Sequence, residues 1–95
     1  MALLRPCSTS AGFTATPEPP LRMDMRLLKE SLLRDAYQIV VDARIILIVR
    51  KATGAGPAVE SSVYDNGKVL VKTTDRAAAE AAYERLASHL AVASR

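Results

Sequence analysis

Two spacings of apolar residues divide this chain. Met25, Leu28, Leu32 and Ala36 recur at helical spacing with Leu33 beside them, while Arg26, Lys29, Glu30 and Arg34 take the other side. That pattern predicts an amphipathic helix over 25–35, with Asp24 placed to cap its first turn. From 37 to 51 the period changes to two. Tyr37, Ile39, Val41, Ala43, Ile45, Leu47 and Val49 occupy the odd positions, and Gln38, Asp42, Arg44 and Arg50 fall among the even ones. The alternation predicts one long strand, bent near Asp42. A continuous helix is the rival, because Leu28, Leu32, Ala36, Ile39, Ala43 and Leu47 also lie at helical spacing with no Gly or Pro between them. Val or Ile at seven of the positions from 39 to 49 favours the strand.

Thr53-Gly54-Ala55-Gly56-Pro57 has the composition of a loop. Beyond it, the segments 59–64 and 68–73 flank Asp65-Asn66-Gly67, a hairpin signal. A two-residue Asn66-Gly67 turn would pair Tyr64 with Val69 and leave both faces mixed. A three-residue loop with Gly67 at positive φ pairs Val63 with Val69 instead. It gathers Val59, Val63, Val69 and Val71 on one face and Glu60, Ser62, Lys68 and Lys72 on the other. A one-residue slip inverts every side chain, so the three-residue loop is expected. Asp75 then caps a second helix over 76–93, whose apolar stripe is Ala79, Ala82, Tyr83, Leu86 and Leu90.

The expected architecture is α+β: a small, mostly antiparallel three-stranded sheet with two helices on one face, in the order α-β-β-β-α. Residues 23–95 form its single domain. Residues 1–22 show neither period, and Ser8, Thr9, Ser10, Thr14 and Thr16 lead into Pro17-Glu18-Pro19-Pro20. Such a stretch is expected to stay disordered. Two other readings remain open: a start codon truly at Met23 or Met25 rather than Met1, or an organelle transit peptide carrying Arg5 and Arg22 with Glu18 as its one acid. Ala2-Leu3-Leu4 is too short for the apolar run of a secretory signal.

Composition narrows the chemistry. With 95 residues and aromatics at 4%, the core has to be built from Leu, Ile, Val and Ala, and a core so thin makes oligomerisation a natural supplement. The single Cys7 excludes an intramolecular disulfide and a cysteine cage for a metal, which makes a reducing, cytoplasmic setting the default expectation. The longest apolar run, 39–49, is interrupted by Asp42 and Arg44, so no membrane span is expected. A formal charge of +3 is too modest to imply nucleic acid by itself.

Catalytic signatures are sparse. His89 is the one histidine and is expected to be a surface or half-buried helix residue. Glu80 and Glu84 share a helix face without further ligands near them in sequence, so they fit a solvated surface better than a metal site. Gly54 and Gly56 lack the Lys-Ser/Thr of a phosphate cradle. No catalytic residue, metal or cofactor is expected. What remains is one sheet face. With helices over the odd positions, the opposite side presents Arg44, Arg50, Lys68 and Lys72 with Tyr64 among them, diluted by Asp42 and Glu60. Cations of this kind suit phosphates and an aromatic suits base stacking. The same side carries Val40, Ile46, Ile48 and Leu70, too many aliphatics for a wet surface on a small domain, and a second copy is the simplest cover.

Ser62-Val63-Tyr64-Asp65-Asn66-Gly67-Lys68-Val69-Leu70-Val71, followed by the capped helix through Ala79, Ala82 and Leu86, resembles the strand–Gly-Lys–strand–helix half of TATA-binding-protein-like domains. Among these is the domain preceding the catalytic domain of ribonuclease type HIII. A similar hairpin-helix ends some bacterial sulfur-carrier adenylyltransferases. The resemblance covers about the last third of the chain and rests on Gly67, Lys68 and the hairpin valines. It implies a curved antiparallel sheet backed by helices, with an open face that contacts nucleic acid. The Phe wedges of minor-groove binders have no counterpart, Phe13 lying in the head. Three functions follow as expectations: a non-enzymatic assembly module that homodimerises through the open face, a nucleic-acid-binding accessory domain, and a partner subunit of an enzyme.

Overall fold

Both amphipathic segments fold as helices, and the segments with a period of two pair as strands. A computed structural model describes residues 4–6, 12–51 and 58–94. The protein is α+β, with a six-stranded antiparallel sheet and two helices. The strands are β1 (Leu4–Pro6), β2 (Phe13–Ala15), β3 (Gln38–Asp42), β4 (Ile46–Lys51), β5 (Val59–Tyr64) and β6 (Val69–Lys72), and their spatial order is β1-β2-β6-β5-β4-β3. Helix α1 (Met25–Arg34) precedes β3, and α2 (Arg76–Ala93) follows β6. Cys7 and the Gly54/Gly56 loop lie outside the described residues.

The three-stranded sheet expected from the sequence is therefore corrected to six strands, for two reasons. The first is the segment 37–51. As one strand at ~3.4 Å per residue it would run about 50 Å, whereas the longest dimension of the molecule is 30 Å. The chain instead reverses after Asp42, and the Ala43 N–H donates to the Ile46 carbonyl at 3.0 Å. Arg44 lies in this turn. Ile39 pairs with Val49 but Val41 pairs with Ile48, so Val40 is the extra residue of a bulge. The bulge shifts the alternation by one position, which turns Val41 to the same side as Ile48.

The second reason lies in the first 22 residues. Phe13 pairs with Val71 and Ala15 with Val69, and both side chains are buried in the core. Beyond them, the Leu21 N–H donates to the Asn66 carbonyl at 2.9 Å, and Met23 to Asp65 at 3.1 Å. The expectation of a disordered head thus fails for 12–22. A stretch without internal periodicity joins the sheet because it needs only Phe13 and Ala15 to face inward.

The β5–β6 hairpin has the three-residue loop. Val63 pairs with Val69, the Gly67 N–H donates to the Tyr64 carbonyl at 3.0 Å, and Gly67 sits at φ +88°. A Cβ at Gly67 would stand 2.9 Å from Leu21 Cδ1 and 3.0 Å from Pro17 Cγ, so both backbone angle and space require glycine.

Leu47, Val49, Val63, Val69 and Val71 form the inner face of the sheet, and Leu28 and Leu32 of α1 with Tyr83, Leu86 and Leu90 of α2 complete the core. Among the described residues, no helix is long and apolar enough to cross a membrane.

Phe13→Ala should lower the free energy of unfolding by about 3 kcal/mol, the usual cost of emptying a buried phenylalanine site. A urea titration measures it. An unchanged midpoint would mean that β2 does not belong to the folded unit.

Candidate functional site

Two places carry functional side chains, and β4 supplies both. On the outer face of the sheet, register brings Ile48, Ser62 and Leu70 side by side across β4, β5 and β6, with Val41 next to Ile48. This is an apolar row. Ser62 sits between its aliphatic neighbours and is only 2% exposed. Ile46 and Tyr64 pair at one end of the face, and Arg50, Glu60 and Lys72 line up across the other.

Of the five residues singled out from the sequence, Arg50, Lys68, Lys72 and Tyr64 belong to this face, and Arg44 does not. The cations are not pooled. Glu60 Oε1 lies 3.7 Å from Arg50 and Glu60 Oε2 3.0 Å from Lys72, so one carboxylate holds both. Lys68 sits over the Tyr64 ring, with Nζ 5.7 Å from its centroid. It is four residues from Lys72, about 13 Å along an extended strand.

The second place was not legible in the sequence. Helix α1 ends in a Schellman turn, in which the Ala36 N–H donates to Leu33 and the Tyr37 N–H to Leu32. Ala36 takes φ +60° to close it. The turn fixes Asp35 beside α2 and the end of β4. Asp35 Oδ1 takes Lys51 Nζ at 2.8 Å, with Arg85 at 3.9 Å, and Lys51 also donates to the Asp35 carbonyl. Asp35 Oδ2 lies 2.9 Å from His89 Nε2, and His89 Nδ1 lies 2.6 Å from Ser31 Oγ. The Tyr37 ring meets the imidazole edge-on, with centroids 5.6 Å apart, and Lys51 Nζ stands 4.9 Å from the same ring's centroid.

The electrostatics follow from these contacts. The hydrogen bonds from Lys51 and then His89 lower the Asp35 carboxyl from 3.8 to about 2. Burial, followed by the negative charge of Asp35, pushes the Tyr37 phenol up to about 12. An ionised Asp35 can only accept, so Nε2 carries the imidazole proton toward it. In the neutral ring Nδ1 is then an acceptor, and Ser31 donates to it. Serine, imidazole and carboxylate form one chain of hydrogen bonds.

The expectation of a half-buried helix histidine describes the exposure of His89, whose side chain is 12% exposed, and misses its partners. Ser31 and Asp35 are one turn apart on α1, as Arg85 and His89 are on α2. That double i,i+4 spacing is the only trace in the sequence, and nothing in it says that the two helices meet there.

Elsewhere, Glu80 is paired with Arg76 at 3.0 Å, and no group of three metal-ligating side chains forms among the described residues. A cleft of about 740 Å³ between the segment 16–21 and α2 is lined by Pro17, Leu21, Tyr83 and Leu90, with Glu18 and Ser94 at its walls. No protein-family model, curated protein or solved structure matches this chain.

Two measurements test this geometry. Ala36→Gly removes the strain of a Cβ at positive φ, about 1 kcal/mol, against a small entropic gain of the unfolded chain. The thermal midpoint should therefore rise by roughly 2–6 °C. A fall would contradict the Schellman turn. The depressed Asp35 carboxyl stabilises the fold above its unfolded value of 3.8, and that contribution disappears as the pH falls from about 4 toward 2. Asp35→Asn should flatten the acid limb of a stability–pH profile in that window while lowering stability at neutral pH. An acid limb as steep as that of the wild type would show that Asp35 is not the group responsible.

Proposed function

We propose that this domain is a non-enzymatic assembly module that pairs with a second copy of itself through the outer face of the sheet. The observation that carries this reading is the apolar row of Val41, Ile48 and Leu70 on the side away from the helices, with Ser62 already shut off from water among them. Charge supports the same occupant. Glu60 engages both Arg50 and Lys72 within the face, which leaves one net positive charge at one end of it and the apolar row free of charge. Size suits a small, weak dimer. The strands are three to six residues long, and at ~3.3 Å per residue and ~4.8 Å between strands they give a projected face of roughly 430 Å². Pleating and side-chain relief enlarge the accessible area, which stays below the ~800 Å² per partner of a standard interface. The edges of the sheet are short or bulged, which favours stacking of faces over pairing of edges.

A second reading rests on Tyr64 and Lys68. A half-buried ring with a cation over it is a stacking platform for a base, and the resemblance to TATA-binding-protein-like domains points to the same partner. Arg50, Lys68 and Lys72 would then hold phosphates, Arg44 lying in the turn between β3 and β4. The engagement of Arg50 and Lys72 by Glu60, and the separation of Lys68 from Lys72, make it the weaker reading.

Sedimentation velocity across a concentration series decides between them. The wild type should dimerise with a micromolar dissociation constant, and Ile48→Lys should shift it to monomer, at least tenfold weaker, without altering the circular dichroism spectrum. A wild type that stays monomeric at ~100 µM removes the assembly reading. For nucleic acid, three phosphate contacts require log K to fall with log salt at a slope of about −2 to −3, and Lys68→Glu should abolish a gel shift. Absence of any shift with single-stranded or duplex probes removes the second reading.

A further inference from the structure

We propose that Ser31 is an acyl-accepting nucleophile, activated by His89 and Asp35, that takes the acyl group of small activated carboxylic esters. The inference is independent of the sheet face. Its basis is the geometry of one chain of groups: Ser31 Oγ stands 2.6 Å from His89 Nδ1, and His89 Nε2 stands 2.9 Å from Asp35 Oδ2. A nucleophile within hydrogen-bond reach of a base, with that base oriented by a third group, is the general arrangement for nucleophilic catalysis. Either ring nitrogen can serve as the base, provided the other carries its proton toward the carboxylate.

The supporting contacts fix each member. Lys51 and Arg85 occupy Asp35 Oδ1, which leaves Oδ2 to the imidazole. The Tyr37 ring packs edge-on against His89 and limits its rotation. Asp35 stays ionised throughout the ordinary pH range, so the tautomer of His89 is constant. Ser31 is half-buried on α1.

In the step itself, Ser31 Oγ attacks the ester carbonyl carbon while its proton passes to His89 Nδ1. The bond from that carbon to the leaving oxygen then breaks, and the leaving alcohol takes the proton back from the imidazolium. Ester and serine become acyl-serine and alcohol, with no redox change. Ser31 lies inside a helix whose backbone N–H groups are spent on intrahelical bonds, so the main chain offers no oxyanion donors there. Without that help only an activated ester reacts, because its leaving group departs readily; the acyl-serine formed is an alkyl ester with a poor leaving group, and it persists as one acyl group per chain.

The test uses the full chain and p-nitrophenyl acetate, with intact mass, peptide mapping and the release of nitrophenol as readouts. One acetyl group should map to Ser31, formed faster than any acetylation of the exposed Ser88. Ser31→Ala should lose that label and retain any slow lysine acetylation. His89→Gln should slow labelling by on the order of 10²-fold, the contribution of a general base, while Ser88→Ala leaves it unchanged. The wild type supplies an arm that needs no variant: the order of labelling, Ser31 ahead of Ser88 and of the lysines, is read on the unaltered chain. Label confined to lysines, equal labelling of Ser31 and Ser88, or a His89→Gln variant labelled as fast as the wild type would overturn the proposal.

Discussion

The structure depends on a constraint of the extended chain: successive side chains of a strand point to opposite sides, so burying one face dictates what the other must show. Leu47, Val49, Val63, Val69 and Val71 are withdrawn from water beneath the two helices. Their neighbours Ile46, Ile48, Tyr64 and Leu70 are then committed to the outer side. Among the described residues no second layer covers them. The outer face is thus a by-product of inner packing as well as a surface in its own right, and its mixed character follows from strands in which both alternating sets contain aliphatics.

Local order in the sequence was legible wherever the determining residues are neighbours. Asp24 caps α1 by accepting from Arg26 and Leu27, Asp75 caps α2 by accepting from Ala77, and the register of the β5–β6 hairpin followed from Gly67 and the valines around it. Features set by tertiary context were not. The reversal at Ala43-Arg44-Ile45 contains no Gly or Pro, and its strongest argument is the size of the whole molecule. The bulge at Val40 cannot be seen in a period of two, because it is an interruption of that period. Strand β2 has only three residues and is defined by the open edge of β6 rather than by its own pattern. Arg50, Lys68, Lys72 and Tyr64 fall on the outer side because alternation along β4, β5 and β6 is unbroken, whereas Arg44 lies in the turn that the alternation does not show. The Ser31–His89–Asp35 chain joins groups more than fifty positions apart, and no spacing rule reaches that far.

Strand β4 links the two candidate regions. Its final residues diverge: Arg50 reaches Glu60 on the outer face, while the adjacent Lys51 reaches Asp35 at the end of α1. The ion pairs on Asp35 tie the first helix, the second helix and the sheet to one carboxylate. A change in the position of β4 would be felt on both sides of the sheet, since the same strand backbone sets both contacts.

The order of strands also governs when the fold can be completed. β2 is separated from its partner β6 by one helix and three strands, and α2, which closes the inner face, follows β6. Phe13 must wait for Val71, and Met23 for Ser94. Such distant pairings delay folding, because the closure entropy of a long loop is met before the contact is made. The β3–β4–β5 meander needs only neighbouring segments and can assemble first, while β2 stays off the sheet until β6 is in place.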